Sequence, residues 1–494
     1  MGVLDALMHG FGVALEPARL LYCFVGVLVG TLVGILPGLG PAATIALLLP
    51  VTYHLDTVSA IIMLAGIYYG SQYGGSTTAI LLRIPGESSS LMTTLDGYQM
   101  ALQGRAGPAL GMAAIASFIA GTVSVIGLML VAPQIGRLAL AFGPAEYFSL
   151  MLLGLTLVAY LTGGAPLKAV AMVLAGLLVA TIGQDPVAGT ERYTFGIGSL
   201  FDGLDLVPVF MGLFGVAEVL ATMEQPPGEA RISAPKGLMP TRADFRDAAG
   251  PIARGTFLGF WLGVLPGGGA TIASVVSYVT EKRFARHRDM LGKGAIEGVA
   301  APEAANNAAS TGSFIPLLTL GIPTNVVMAM MLAALTLQGI RPGPLLIQQQ
   351  PVLFWGVVAS MYVGNLMLLV LNLPLVGVFV RILRLPYTYL APVILLVCMI
   401  GAYSVNVQVT DVLVMLVFGV LGWAFRKLGY DATPFVLALI LGRPMEESLR
   451  LALSLSQGDF SVFVREPISA VLLAAVVLAA GFPLLRGRLR RSRG

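Results

Sequence analysis

The chain has 494 residues, 57% of them hydrophobic and 11% charged, with a formal net charge of +4 and a mean hydropathy of +0.87. A soluble domain carries about 25% charged residues, so this chain cannot cover a soluble globule of its own size with polar surface. It reads as an all-α polytopic membrane protein, because backbone in lipid must satisfy its own hydrogen bonds and the apolar runs lack the alternation of a barrel.

In chain order, candidate spans fall at 18–36, 58–82, 109–132, 145–161, 165–183, 203–222, 252–265, 295–320, 322–337, 352–380, 388–403, 409–424, 432–441 and 467–485. Several are shorter than the roughly 20 residues of a full crossing, so roughly ten to twelve transmembrane helices with broken or re-entrant pieces are expected. The N-terminal stretch "MGVLDALMHGFGVALEPARL" lacks a basic start, a short apolar core and a small-residue cleavage site, so no cleavable signal peptide is expected. Cys23 and Cys398 lie in apolar spans and read as small buried hydrophobes. The first span ends in "GILPGLGP", which crowds Pro37, Gly38, Gly40 and Pro41 into a hydrophobic run. The polar segment "YGSQYGGST" (69–77) follows, and then a second break, "LLRIPGE" (81–87). Residues 224–247 form the longest polar stretch and read as a linker between a first half, 1–223, and a second half, 248–485. The basic loop 281–293 and the basic tail 486–494 read as cytoplasmic by the positive-inside rule, an explanation that leaves no need for nucleic acid as a partner.

The second half repeats these landmarks. "GVLPGGG" lies over "GILPGLG" at a spacing of 229 residues (263 − 34 = 229), and "EAANNAAST" (303–311) lies over 69–77 at a spacing of 234 (303 − 69 = 234). "TLGIPTN" (319–325) lies over "LLRIPGE", with the prolines 238 apart (323 − 85 = 238). The polar residues of both middle segments follow i, i+3, i+4, i+7, i+8, one face of a helix. The loop after the first break, 50–57, has no Lys or Arg, whereas the corresponding loop 281–293 has five. Unequal basic charge on equivalent loops favours opposite sides of the membrane, hence an inverted repeat.

Inverted repeats with interrupted helices build transport sites near the bilayer midplane. Glycines permit the turn, and a helix that starts after it aims free N–H groups and a positive dipole end at the break, which suits an anion such as a carboxylate. The expected substrate-binding residues are Gly38, Gly40, Pro41 and Thr44 at the first break, and Gly75, Ser76, Thr77 and Thr78 on the first polar helix. Their counterparts are Gly268, Gly269 and Thr271 at the second break, and Asn306, Asn307, Ser310 and Thr311 on the second polar helix. Glu303, Asn306, Asn307, Thr324 and Asn325 are expected to hold a coupling Na⁺ or H⁺, since an intramembrane carboxylate is costly unless used. Arg83 either meets a substrate carboxylate or snorkels to headgroups. His9, His54 and His287 have no metal-ligand spacing, and no HExxH, GxSxG, dinucleotide fingerprint or Walker lysine occurs, so neither enzymatic chemistry nor a cofactor is expected.

The stretches "GILPGLGPAATIALLLP", "YGGSTTAILLRIPGE", "GVLPGGGATIASVVSY" and "PEAANNAASTGSFIPLLTLGIP" resemble the signatures of the TctA family, the large membrane subunit of tripartite tricarboxylate transporters. The resemblance implies a bacterial inner-membrane permease that works by ion-driven alternating access and imports a tricarboxylate, dicarboxylate or aromatic acid. It also implies a TctB-like small membrane subunit, a TctC-like periplasmic solute-binding protein and a cytoplasmic C-terminus. Arg83, Thr324 and Asn325 depart from the family pattern and bear on substrate identity. The alternative is a stand-alone secondary carboxylate transporter without a binding protein.

Overall fold

A computed structural model describes residues 2–36, 40–161, 165–185, 188–224, 237–378 and 387–491, with side chains of 387–390 and 482–491 left aside. Its helices, in chain order, are α1 (Val3–Ala14), α2 (Pro17–Ile35), α3 (Pro41–Thr52), α4 (Thr57–Leu82), α5 (Thr93–Leu102), α6 (Ala106–Ala139), α7 (Pro144–Leu161) and α8 (Pro166–Ala180). Then come α9 (Leu206–Met223), α10 (Arg242–Val264), α11 (Gly269–Phe284), α12 (Glu297–Gly312), α13 (Phe314–Leu320) and α14 (Val326–Leu337). The last are α15 (Pro351–Asn372), α16 (Tyr387–Asn406), α17 (Val409–Lys427), α18 (Ala432–Leu455) and α19 (Pro467–Arg491). A two-stranded hairpin, Gly183–Gln184 against Glu191–Arg192, is the sole sheet among the described residues.

Among the described residues six helices are long and apolar enough to cross a membrane: α2, α6, α7, α9, α15 and α17. Further apolar helices, α3 and α14 among them, are shorter than a crossing. The expected span 295–320 is divided into α12 and α13, and the segment read as a linker, 224–247, already contains the start of α10 at Arg242. That start is fixed by a capping box: the Thr241 hydroxyl accepts from the Asp244 N–H, and the Asp244 carboxylate accepts from the Thr241 N–H. Residues 225–236 of the linker, residues 37–39 of the first break (Pro37, Gly38 and Leu39) and the side chains of the tail 486–494 lie outside the described residues.

Proline begins α2, α3, α8 and α15, where its missing N–H is no loss and its φ suits the first turn. Asp56 caps α4 by accepting from the Ser59 N–H at 3.2 Å.

Two helix pairs pack backbone against backbone. On α2, a Cβ at Gly26, Gly30 or Gly34 would lie 2.3, 2.5 or 2.3 Å from the carbonyl oxygens of Met63, Ile67 and Ser71 on α4. On α10, a Cβ at Gly255, Gly259 or Gly263 would lie 2.4, 2.2 or 2.2 Å from those of Ala301, Ala305 and Ala309 on α12. Lipid tails are as apolar as Leu, so association in a bilayer relies on such close approach of small-residue faces. α12 is thereby held on α10 and α11 on one side and on α6 on the other, and all of its residues are buried.

Candidate functional site

The two glycine stripes are spaced alike, since Gly26, Gly30 and Gly34 precede Gly255, Gly259 and Gly263 by 229 residues (255 − 26 = 229). Their carbonyl partners are 238 apart (301 − 63 = 238). The same 238 separates the left-handed residues that end α4 and α13, Arg83 at φ 59° and Gly321 at φ 69° (321 − 83 = 238). The residues met by the last glycine of each stripe, Ser71 and Ala309, are thus four residues off the spacing of 234 expected for the polar segments. Four residues are about one helical turn, so the polar face keeps its direction while the residue-by-residue matching changes.

Glu303 is wholly buried on α12. Its Oε2 accepts from Ser76 Oγ on α4 at 2.5 Å and from Asn306 Nδ2 at 3.4 Å, and its Oε1 accepts from Thr93 Oγ1 on α5. Asn307 Nδ2 donates to Asn306 Oδ1 and to Ser117 Oγ on α6, both at 2.7 Å. This cluster joins α4, α5, α6 and α12 through side chains. Among the described residues no Lys, Arg or His pairs with Glu303.

The second break is built by glycine. Gly267 and Gly269 have φ of 77° and 49°, and a Cβ on Gly267 would press within 2.8 Å of Val158 on α7. Gly267 N donates to Thr324 O at 2.8 Å, so the "GIPTN" stretch closes onto the break. Asn325 caps α14 by accepting from Met328 N at 3.0 Å, while its Nδ2 donates to Tyr68 Oη on α4 at 3.3 Å and to Ser313 Oγ at 3.2 Å. Thr271, in the first turn of α11, lies 2.9 Å from Ser88 Oγ. At the first break, a Cβ on Gly86 would lie 2.0 Å from Gly34 O. The "IPGE" stretch thus closes onto the end of α2.

Of the expected residues, Ser76, Glu303, Asn306 and Asn307 share one hydrogen-bonded cluster, Thr324 and Asn325 meet at the second break, and Thr271 meets Ser88. Thr44, Thr78, Ser310 and Thr311 bond back to their own helices, as hydroxyls inside helices commonly do. Thr77 lines, with Ser76, Tyr73 and Ser117, a void of about 10 Å³, room for one water and not for a carboxylate. Gly75 lies against Glu87, where a Cβ would come within 3.2 Å of its backbone nitrogen. Gly268 lies inside the second break, where a Cβ would come within 1.9 Å of Leu262 O. Gly40 caps α3, which Pro41 begins, and a Cβ there would meet nothing within 4 Å. Gly38 lies outside the described residues. Arg83 is exposed, with its guanidinium 6.0 Å from the centroid of the Tyr98 ring.

Several residues of the site were missed. Thr93, Ser117 and Ser88 were unmarked hydroxyls whose partners lie far along the chain, so no local pattern could have pointed to them. Glu87 stood in the quoted "IPGE" break, and a carboxylate beside a break was the available signal. Asp96 was also missed. It is fully buried, and its Oδ1 accepts from the backbone N–H groups of Gly292, Gly294 and Ala295 at 2.8, 2.9 and 2.9 Å, while its Oδ2 accepts from Tyr278 Oη at 2.8 Å. It thereby ties α5, which carries Thr93, to the loop before α12, which carries Glu303.

A cavity of about 550 Å³ lies elsewhere, beside Gly321 and Ile322 and lined also by Arg192, Arg341, Arg443 and Gln184. None of the expected substrate-binding residues lines it. Arg192 is paired with Asp185 and Glu446, and Arg443 with Glu447 at 3.4 Å.

The profile of the Tripartite tricarboxylate transporter TctA family matches residues 20–437. The chain is 50% identical to an uncharacterized 52.8 kDa protein in the TAR-I ttuC' 3'region of Agrobacterium vitis, over 99% of this chain and 98% of that one. It is 49% identical to an uncharacterized protein in the TAR-II ttuC' 3'region of the same organism, over 47% of this chain and 96% of that one. No solved structure matches.

Proposed function

Since the chain belongs to the TctA family, and is therefore a multi-pass membrane transport protein and not an enzyme, we propose that it is the large permease subunit of a tripartite system that imports a carboxylate with Na⁺ or H⁺. In this reading a TctC-like binding protein delivers the acid and a TctB-like subunit completes the complex. The observation that carries the site assignment is the buried Glu303 cluster, a carboxylate with hydroxyl and amide partners and, among the described residues, no basic one. A charge kept at that depth without a cationic partner is costly, and a cation taken up with the substrate would offset it.

The acid itself would be met by N–H groups at the starts of α3 and α11, beside Thr271, Ser88 and Asn325. The cavity beside Gly321 reaches the "GIPTN" stretch, and Arg341 in its lining would meet an anion on the way to the break. The two glycine-striped helix pairs, each followed by a break and a left-handed helix end, support an internal repeat of halves 1–223 and 248–485. Unequal basic charge in the loops 50–57 and 281–293 supports its inversion, with the C-terminus in the cytoplasm. Motion of these paired elements would give alternating access.

The test is uptake of radiolabelled citrate, C4-dicarboxylates and aromatic acids into proteoliposomes, with each partner present or omitted and with or without a Na⁺ or pH gradient. Gradient-driven uptake of one acid only when all three proteins are present is the expected result. Uptake by this chain alone would replace the tripartite reading with a stand-alone transporter. No uptake of any acid would overturn the carboxylate assignment.

A further inference from the structure

The helices that follow the "IPGE" and "GIPTN" stretches end alike. α5 and α14 both close on "LQG", at 102–104 and 337–339, a spacing of 235 (338 − 103 = 235). The glycine turns left-handed in each, with φ of 77° at Gly104 and 73° at Gly339. The next N–H then reaches back five residues, Arg105 N to Met100 O at 2.8 Å and Ile340 N to Leu335 O at 2.9 Å, which closes the helix end on itself. The glutamine side chain is left over, and in both places it reaches a loop in the other half of the chain. Gln103 Nε2 donates to Lys293 O at 2.8 Å, in the loop between α11 and α12. Gln338 Nε2 donates to Thr52 O at 2.8 Å and to Leu55 O at 3.3 Å, where α3 turns into α4, and its Oε1 accepts from Thr57 Oγ1 at 3.4 Å. Carbonyl oxygens only accept, so these partners fix which end of each amide is the nitrogen.

The exchange is reciprocal, but the two joints are unequal. The loop 285–296 is held twice over by α5, by Gln103 and by Asp96, which accepts from the N–H groups of Gly292, Gly294 and Ala295. The residue in the place of Asp96 on α14 is Met331 (331 − 96 = 235), whose thioether is only a weak acceptor. Among the described residues, Gln338 is therefore the one side chain of α14 that hydrogen-bonds to residues 52–57. A joint made by one amide opens more readily than one that adds a buried carboxylate, because local opening costs what the broken bonds contributed. α14 is too short to cross the membrane and runs as an arm between this joint and the second break. At its far end Asn325 bonds to Tyr68 and Ser313, and Thr324 O accepts from Gly267 N. Thr336 and Arg341, on either side of Gln338, line the cavity of about 550 Å³.

We propose that Gln338 is the latch of a gate on the side of the membrane opposite the basic loop, and that this gate opens while the loop 285–296 stays shut under Asp96 and Gln103. The inference rests on the transport reading above and gives it a direction: the acid enters past Gln338.

The experiment follows the rate at which a maleimide labels single reporter cysteines in the purified full chain in detergent. Thr52→Cys reports on the Gln338 joint and Ala295→Cys on the other, since both residues are buried, at 2% and 6% exposure. The native Cys23 and Cys398 are also buried and set the baseline. In the wild-type background the Thr52→Cys reporter should label faster than the Ala295→Cys reporter. A lost hydrogen bond of ordinary net strength raises the open population about 2- to 10-fold. Gln338→Ala should speed the Thr52→Cys reporter by that factor and leave the Ala295→Cys reporter unchanged. Gln338→Glu, which keeps the length and loses the donor, should act alike and decides the matter if the alanine variant does not fold. Gln103→Ala should leave both reporters near wild type, because the Asp96 cradle remains. In proteoliposomes, with whichever of citrate, C4-dicarboxylates and aromatic acids the wild type moves, Gln338→Ala should lower KM by a similar factor, since less binding energy goes into opening the gate. An unchanged rate at the Thr52→Cys reporter in both Gln338 variants overturns the proposal, as does an Ala295→Cys reporter that labels as fast as Thr52→Cys in the wild-type background. Faster labelling with an unchanged or higher KM makes Gln338 a structural cap and overturns it as well. A wild type that moves no acid would overturn the transport reading, while the labelling rates still decide the latch.

Discussion

Replacing Asp96 should loosen the joint that brings the hydroxyl of Thr93 to Glu303. Its carboxylate takes four hydrogen bonds, three from backbone N–H groups of residues 292–295 and one from Tyr278, with no exposure to solvent. Asp96→Ala leaves those donors facing a void. At about 1–3 kcal/mol for each buried donor left without an acceptor, and with partial relaxation of the loop, the loss comes to about 3–5 kcal/mol. Asp96→Asn behaves differently. Its remaining oxygen can still accept from the three N–H groups, and its new amide can donate to Tyr278, whose hydroxyl turns round to accept. Only the charge assistance is lost, about 1–2 kcal/mol. Denaturant or thermal unfolding of the purified protein in detergent, followed by tryptophan fluorescence, reads both changes. The wild type should be most stable, Asn intermediate and Ala far below. If Ala and Asn are equally mild, within about 1 kcal/mol of the wild type, the backbone cradle is not what holds α5 to the loop, and the reasoning fails.

Gly259→Ala should cost about 1–3 kcal/mol and lower uptake, because its Cβ would lie 2.2 Å from Ala305 O and α10 would have to retreat from α12; the same unfolding assay with a transport measurement checks it. Asn325→Ala should cost about 1 kcal/mol through the lost cap of α14, and wild-type stability would show that the cap is not limiting. Arg83→Gly should be neutral or stabilising by about 0.5–1 kcal/mol, since φ of 59° strains any residue with a Cβ. A loss of uptake without a loss of stability in that variant would instead give the guanidinium a part in handling the anion. Glu303→Gln should retain folding and lose dependence of uptake on the cation gradient; unchanged gradient dependence would remove Glu303 from the coupling site.

What the sequence determined by itself was set by composition and by residues with one backbone meaning. Too little charge for a soluble surface made the chain a membrane protein. Glycine and proline marked the ends of α2, α4, α10 and α13, because Pro lacks an N–H and Gly accepts positive φ wherever the chain puts it. The glycines at every fourth position of α2 and α10 were equally visible, and so were the family motifs. The register of the polar segments was not. A face repeats every turn, so a displacement of four residues leaves the pattern nearly unchanged; the prolines of the "IPG" and "GIP" stretches stand 238 apart, and the carbonyls met by the glycine stripes share that spacing rather than 234. Tertiary structure alone also decided the partners. Thr93 and Ser76 meet Glu303 across 210 and 227 residues of chain, and Asp96 finds its N–H cradle about as far away. A hydroxyl or a backbone N–H looks the same in sequence whether it bonds to its own helix, as Thr78 and Ser310 do, or to a carboxylate two hundred residues on. Which of these happens depends on the close packing of α4, α5 and α12.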